Sequence, residues 1–232
     1  MSLKKILMLS LILFYITKNV QAQNVFAFNI GWNISKFFKP LSNLETPMAD
    51  FNQLNPNIEK KYEMPGFFQG IYFDIRSGSP KSGIIFSWNN KHGIAKAEGI
   101  ATGSGETEYK IRNIKTRLNA LGIGAYFSLY RRLKMGITFD LGTFTIVKKI
   151  ATPDQIKVED WIPFYDKKSV GAYGFTANIS YPLSFSKSIQ LRFQPYLQII
   201  KLMQYPTFSS KKYFYNPSTF GITAFLSFIS DH

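Results

Sequence analysis

Eight stretches of this chain alternate apolar with small or polar residues, and the segments joining them are alternately long and short. In Asn24–Lys36, Phe26, Phe28, Ile30, Trp32 and Ile34 fall on one parity, and Ala27, Asn29, Gly31, Asn33 and Ser35 on the other. Side chains of a strand alternate between its two faces, so each such stretch has one oily face and one wet or crowded face. A soluble sheet buries the oily face in a core, whereas a transmembrane barrel turns it to lipid and fills its lumen with the other set.

The same pattern recurs in Phe67–Arg76, Gly83–Lys91, Thr116–Leu129, Leu133–Val147, Ala172–Tyr181, Ile189–Ile200 and Phe220–Phe228. Each is close to the about 9–11 residues that a tilted strand needs to cross a bilayer. The connections after the second, fourth and sixth stretches are tight, and Ser77-Gly78-Ser79-Pro80-Lys81 carries the residue types that turns need. The other connections are long. Long extracellular loops opposite short periplasmic turns, with an even strand number, are the pattern of an outer-membrane barrel. A secreted β-sandwich also fits the composition, but nothing in its architecture requires loop lengths to alternate. The expected fold is therefore all-β: an eight-stranded antiparallel transmembrane barrel.

The N-terminus points the same way. Met1–Ala22 has Lys4 and Lys5, an apolar run Ile6–Ile16 and a small-residue site at Val20-Gln21-Ala22. This is the layout of an export signal cleaved after Ala22, with an apolar run too short to span a bilayer as a helix. Residues 23–232 are then the barrel. With no cysteine in the chain, neither a lipid-anchored cysteine nor a disulfide is available. The near-zero mean hydropathy of −0.07 with 16% aromatic residues suits a barrel, which hides its membrane signal in alternation.

An export signal, eight alternating segments and a final amphipathic strand with Phe228 near the C-terminus resemble the small outer-membrane β-barrels of the OmpA/OmpX type. The size is also similar to barrels of the PorT type. The resemblance implies outer-membrane location and leaves activity open. One departure is the tail Ile229-Ser230-Asp231-His232, since such barrels often end on the aromatic residue.

Eight strands leave an interior just wide enough for side chains, not a pore. The inward parity carries many glycines together with Asp74, Arg76, Lys134, Asp140 and Arg192. Buried charges need partners, so these five are expected to form a lumen charge network that fixes the barrel; a proton or solute path along them is the alternative. Pro195 falls within a strand and predicts a bulge or break, because it cannot donate a ladder hydrogen bond. Phe225 falls on the inner parity, where a smaller residue is expected. On the outer parity, Phe26, Phe73, Tyr130, Tyr181 and Phe228 at one end and Phe67, Trp88, Tyr173 and Phe220 at the other read as two aromatic girdles.

The chain carries a net charge of +14; removing Lys4, Lys5 and Lys18 with the signal leaves 25 basic and 14 acidic residues, or +11. Lys148, Lys149, Lys167, Lys168, Lys211 and Lys212 read as a basic loop surface, suited to lipopolysaccharide phosphates or a protein partner. A cell-surface location excludes nucleic acid as a partner. Some eight-stranded barrels hydrolyse lipid A with a serine and a histidine. Here His92 follows the third stretch as a loop residue with no serine arranged beside it. Nothing has the spacing of a metal site, and Gly99–Glu106, a flexible loop tip, lacks the ending of a phosphate-binding loop. No cofactor is expected. Three functions remain in view: a non-enzymatic barrel with a ligand-binding surface, a barrel component of a type IX-like secretion or assembly machine, and a lipid A hydrolase.

Overall fold

The structure, a computed structural model, describes residues 25–38, 42–130, 133–165, 169–184, 186, 188–203 and 217–231. The expected signal Met1–Ala22 lies outside the described residues. Along the chain run β1 (Val25–Phe37), α1 (Ser42–Leu54), β2 (Phe68–Gly78), β3 (Ser82–Gly99), β4 (Lys110–Tyr130), β5 (Leu133–Ala151), β6 (Ile162–Pro163), β7 (Ser169–Ser184), β8 (Ile189–Leu202) and β9 (Thr219–Asp231). The long strands hydrogen-bond antiparallel in the order β4-β3-β2-β1-β9-β8-β7-β5, and β5 pairs back onto β4. The sheet thus closes into an eight-stranded barrel, with the short β6 added at the upper edge of β5.

Closure has a definite stagger. Pairing partners followed once around the ring from Val25 pass through Gly78, Gly83, Tyr126, Gly136, Asn178, Tyr196 and Gly221, and return to β1 at Ser35, ten residues higher. Ten residues of about 3.3 Å against eight strand spacings of about 4.8 Å set a tilt of about 40°. At that tilt five successive outward positions, such as Phe26 to Ile34, cover about 20–25 Å of height, the thickness of a barrel's apolar band. The outward residues there are apolar on every long strand, Phe26, Leu121, Phe175 and Ile222 among them, and they are exposed.

The packing of the lumen and the β7–β8 ladder account for the two irregularities of the sequence. Phe225 is fully buried and pairs with Gly31, where a Cβ would overlap Ala224 O and Phe225 Cβ. The missing side chain of Gly31 makes the space that the Phe225 ring fills, beside Tyr72. Opposite Pro195 the β7–β8 ladder lapses between Asn178↔Tyr196 and Tyr181↔Phe193, then resumes in the same register. The ladder breaks there without a bulge. The tail beyond Phe228 continues β9, with Ile229, Ser230 and Asp231 paired to Ala27, Phe26 and Val25.

The upper connections depart from the expected long loops. β3, β4 and β5 run 18, 21 and 19 residues and rise above the apolar band as a three-stranded wall. Residues 92–99, 110–115 and 148–151, expected in loops, belong to this wall. Its inner face is apolar: Ala95, Ile114, Leu118, Phe144 and Ile146, joined by Val170, Ala172, Ile200 and Leu202 of β7 and β8, surround Leu44 and Met48 of α1. The helix caps the barrel mouth. Asn52 and Tyr62 exchange two hydrogen bonds of 2.9 Å, and Arg112 lies over the Phe51 ring. Arg112 also pairs with Glu106 and donates to Gly99 O, while Gly103 abuts Leu54 O so closely that no Cβ fits. The segment Gly99–Glu106 is therefore a fixed part of the cap.

Two outcomes follow from a closed ring with a filled interior. The protein fractionates with outer membranes, migrates heat-modifiably on a gel, and gives no large steady conductance in planar bilayers; porin-like currents would contradict the filled lumen. Met48→Ala costs about 2–5 kcal/mol of cap stability. It should speed hydrogen exchange and proteolysis in residues 42–66 while heat-modifiable migration persists, because the transmembrane ladder does not include α1.

Candidate functional site

The structure places all five of the expected lumen charges on the inner face, but in separate groups. Asp74 and Arg76 lie two residues apart on β2 and so point the same way. Arg76 Nε donates to Asp74 Oδ1 at 3.1 Å and Nη2 to Oδ2 at 2.9 Å, with both side chains buried. Tyr72 hydroxyl donates to Asp74 Oδ2 at 2.6 Å, Asn29 donates to Oδ1, and Arg76 Nη2 also reaches Gln194 Oε1 at 2.7 Å. This carboxylate–guanidinium pair ties β1, β2 and β8 together across the lumen.

Lys134 and Arg192 sit lower, toward the periplasmic turns, and make no ion pair among the described residues. Lys134 Nζ lies 4.8 Å over the Tyr126 ring, and Arg192 Nη2 donates to Gln190 Oε1 at 2.8 Å. Asp140 belongs to a higher group, accepting from Thr138 (2.8 Å), Gln198 (2.9 Å) and Thr176. Lys91 is a lumen cation that sequence reasoning missed. Its Nζ donates to Thr219 Oγ1 at 2.6 Å and Tyr196 hydroxyl at 3.2 Å, and it is fully buried. Lys91 shares the inward parity of Ile85 and Asn89, so the signal was present. Between the lower and upper groups lies a cavity of about 10 Å³ lined by Asn89, Asp140, Asn178, Gln198 and Thr223, room for about one water molecule.

The basic exterior differs from the expected loop surface. Lys148 and Lys149 lie in β5, because the strand continues to Ala151. Lys149 is buried: its Nζ donates to Ile156 O at 3.1 Å and lies 5.2 Å from the Trp161 ring centre. Lys148 lies over Phe164. Lys167, Lys168, Lys211 and Lys212 lie outside the described residues. His92 is a strand residue, paired across β3's neighbours with Gln69 and Arg117, not a loop residue. It faces outward just above the apolar band, and its neighbours on that outer wall are Arg117, Lys115 and Lys96. Among the described residues no His, Asp and Glu gather to hold a metal ion. In the cap above, burial pushes the Tyr62 phenol up to about 12, an effect that Arg112 opposes.

Asp74→Ala leaves Arg76 buried beside Lys134 and Arg192 without its carboxylate. It should lower stability to urea in detergent micelles by about 3–5 kcal/mol, whereas Lys60→Ala, which removes an exposed partner of Glu98, should cost about 0–1 kcal/mol.

No protein-family model matches this sequence, and no curated protein matches it. Among solved structures, the attachment invasion locus protein Ail of Yersinia pestis, in complex with the heparin analogue sucrose octasulfate, aligns over 90% of this chain and 99% of its own at 9% identity and a TM-score of 0.48. A second Ail structure aligns over 90% and 100% at 10% identity and a TM-score of 0.43. The toluene transporter TbuX of Ralstonia pickettii aligns over 91% of this chain and 64% of its own at 8% identity and a TM-score of 0.23. The chain's own geometry is decisive: an edgeless ring of eight tilted strands, an apolar band outside and a polar, side-chain-filled lumen make this protein a small outer-membrane β-barrel.

Proposed function

We propose that this protein is a non-enzymatic barrel, exported by the signal Met1–Ala22, whose extracellular end binds an anionic ligand at the cell surface. The observation that carries this reading is the outward cluster His92, Lys115 and Arg117 on the wall of β3 and β4, with Lys96, which pairs with Glu98, in the row above. The lumen below supports no transport role, since buried side chains fill it and α1 packs into its mouth. A hydrolytic role finds no support at His92, whose cross-strand partners are Gln69 and Arg117.

Binding through such a surface is electrostatic and falls as salt screens the charges over about 10 Å. Full-length protein in nanodiscs should bind dextran sulfate in low salt and release it as ionic strength rises, while neutral dextran stays unbound. Equal binding of the two polymers, or binding indifferent to salt, overturns the reading.

A further inference from the structure

The wall of β3, β4 and β5 presents its outer face in cross-strand rows. From the top of the apolar band upward the rows are Asn90–Asn119–Thr143, His92–Arg117–Thr145, Ile94–Lys115–Val147 and Lys96–Asn113–Lys149. Rows are about 7 Å apart along a strand, and neighbours within a row about 5 Å. Three successive rows therefore hold four cations, Arg117, Lys115, Lys96 and Lys149, beside His92, and no acid. The first acid, Glu98, stands in the next row and is already engaged by Lys96 and Lys60. Lys96 has Glu98 as its counter-charge and Lys149 donates to Ile156 O, whereas Arg117 and Lys115 make no ion pair among the described residues, and like charges this close repel.

The geometry is directed. Asn90 Oδ1 accepts from Arg117 Nε at 2.9 Å, and this is Arg117's hydrogen bond among the described residues. The residue is exposed and its two terminal nitrogens make no hydrogen bond among the described residues, which leaves the guanidinium fork available to an oxyanion. From above, Trp161 closes over the outer face, 5.6 Å from Lys115 Nζ and 5.2 Å from Lys149 Nζ. From below, Trp88 and Leu121 of the apolar band mark the lipid level, and Trp88 Nε1 donates upward to Asn119 Oδ1 at 2.6 Å. The opening between Trp161 and the band is thus cationic, faces sideways and lies at headgroup height. Lys36 and Lys201 stand outward at the same level on β1 and β8, each two residues above the last apolar outward position, Ile34 and Ile199.

The geometry points to a lipid-phosphate site: Arg117 and Lys115, with His92 beside them, hold a phosphate of a phosphorylated glycolipid in the outer leaflet. This rests on the anionic-ligand reading above and deepens it. A lipid is favoured over a soluble anion because the cluster lies on the lipid-facing side of the barrel wall, directly above exposed Leu121 and half-buried Trp88, and not at the capped mouth.

The test uses full-length protein in vesicles of zwitterionic phospholipid doped with bis-phosphorylated lipid A or with dephosphorylated lipid A, extracted gently and weighed by native mass spectrometry. Wild type should retain phosphorylated lipid A. Arg117→Gln combined with Lys115→Gln should reduce retention about thirtyfold, at roughly one membrane-surface charge contribution per residue. Lys60→Gln should leave retention unchanged, and heat-modifiable migration reports that each variant folds. Equal retention by the double variant, or equal retention of dephosphorylated lipid A, overturns the site; so does displacement of lipid A by inorganic phosphate, which would mark a free-anion site. If lipid A is not retained while dextran sulfate still binds, this site falls and the broader reading stands.

Discussion

Backbone hydrogen bonding in lipid is the constraint on which the structure depends. With no water in the bilayer core, each N–H and C=O must find a partner within the protein, and a ring without edges meets that demand. Eight strands with a ten-residue stagger make a ring so narrow that inward side chains compete for the same space. Gly31 and Phe225 show the consequence, because one position gives up its side chain so that its partner's ring can enter. The break opposite Pro195 shows the tolerance: the ladder lapses locally and the register survives.

The preference of the two faces inverts at the rim of the apolar band. Within the band the outside is oily and the inside holds Asp74, Arg76, Lys91, Asp140 and the amides and hydroxyls that bond them. Above it, the inside becomes an apolar core around Leu44 and Met48, and the outside carries Arg117, Lys115 and Lys96. One set of strands thus obeys two solvents. In lipid the lumen is the polar refuge; in water it is the hydrophobic core, and burying Leu44 and Met48 there contributes about 1.5–3 kcal/mol each. The cap and the lumen network together make the barrel a rigid post, leaving recognition to the outer wall at the water–lipid boundary.

That division bears on charge. Arg76 has a carboxylate at hydrogen-bonding distance and Asp140 has three donors, so these two lumen charges are settled internally, while Arg192 keeps only Gln190 among the described residues. Of the outward cations, Lys96 is settled by Glu98, but Arg117 is oriented by a neutral amide and Lys115 by an indole face. A cation fixed in place without an ion pair acts as a receptor more readily than one that is already paired.

The eight segments, their two faces and the inward parity of Asp74, Arg76, Lys134, Asp140 and Arg192 were legible in the sequence, because alternation has a period of two and any short window contains it. The partners of those charges were not. Which inward residues meet depends on a stagger accumulated around the whole ring, so Asp140 joins Thr176 and Gln198 while Arg192 stays below with Gln190. The strand ends were also hidden: once the wall leaves lipid, Ile114, Phe144 and Ile146 face inward, and a pattern set by the bilayer no longer applies. Helix α1 carries Pro47 inside it and only a short apolar stripe, Leu44, Met48 and Phe51, so its stability comes from the mouth it fills. The sequence by itself determined which residues face lipid, because that rule is local; the tertiary structure decided which of the others touch, because closure of a ring is not.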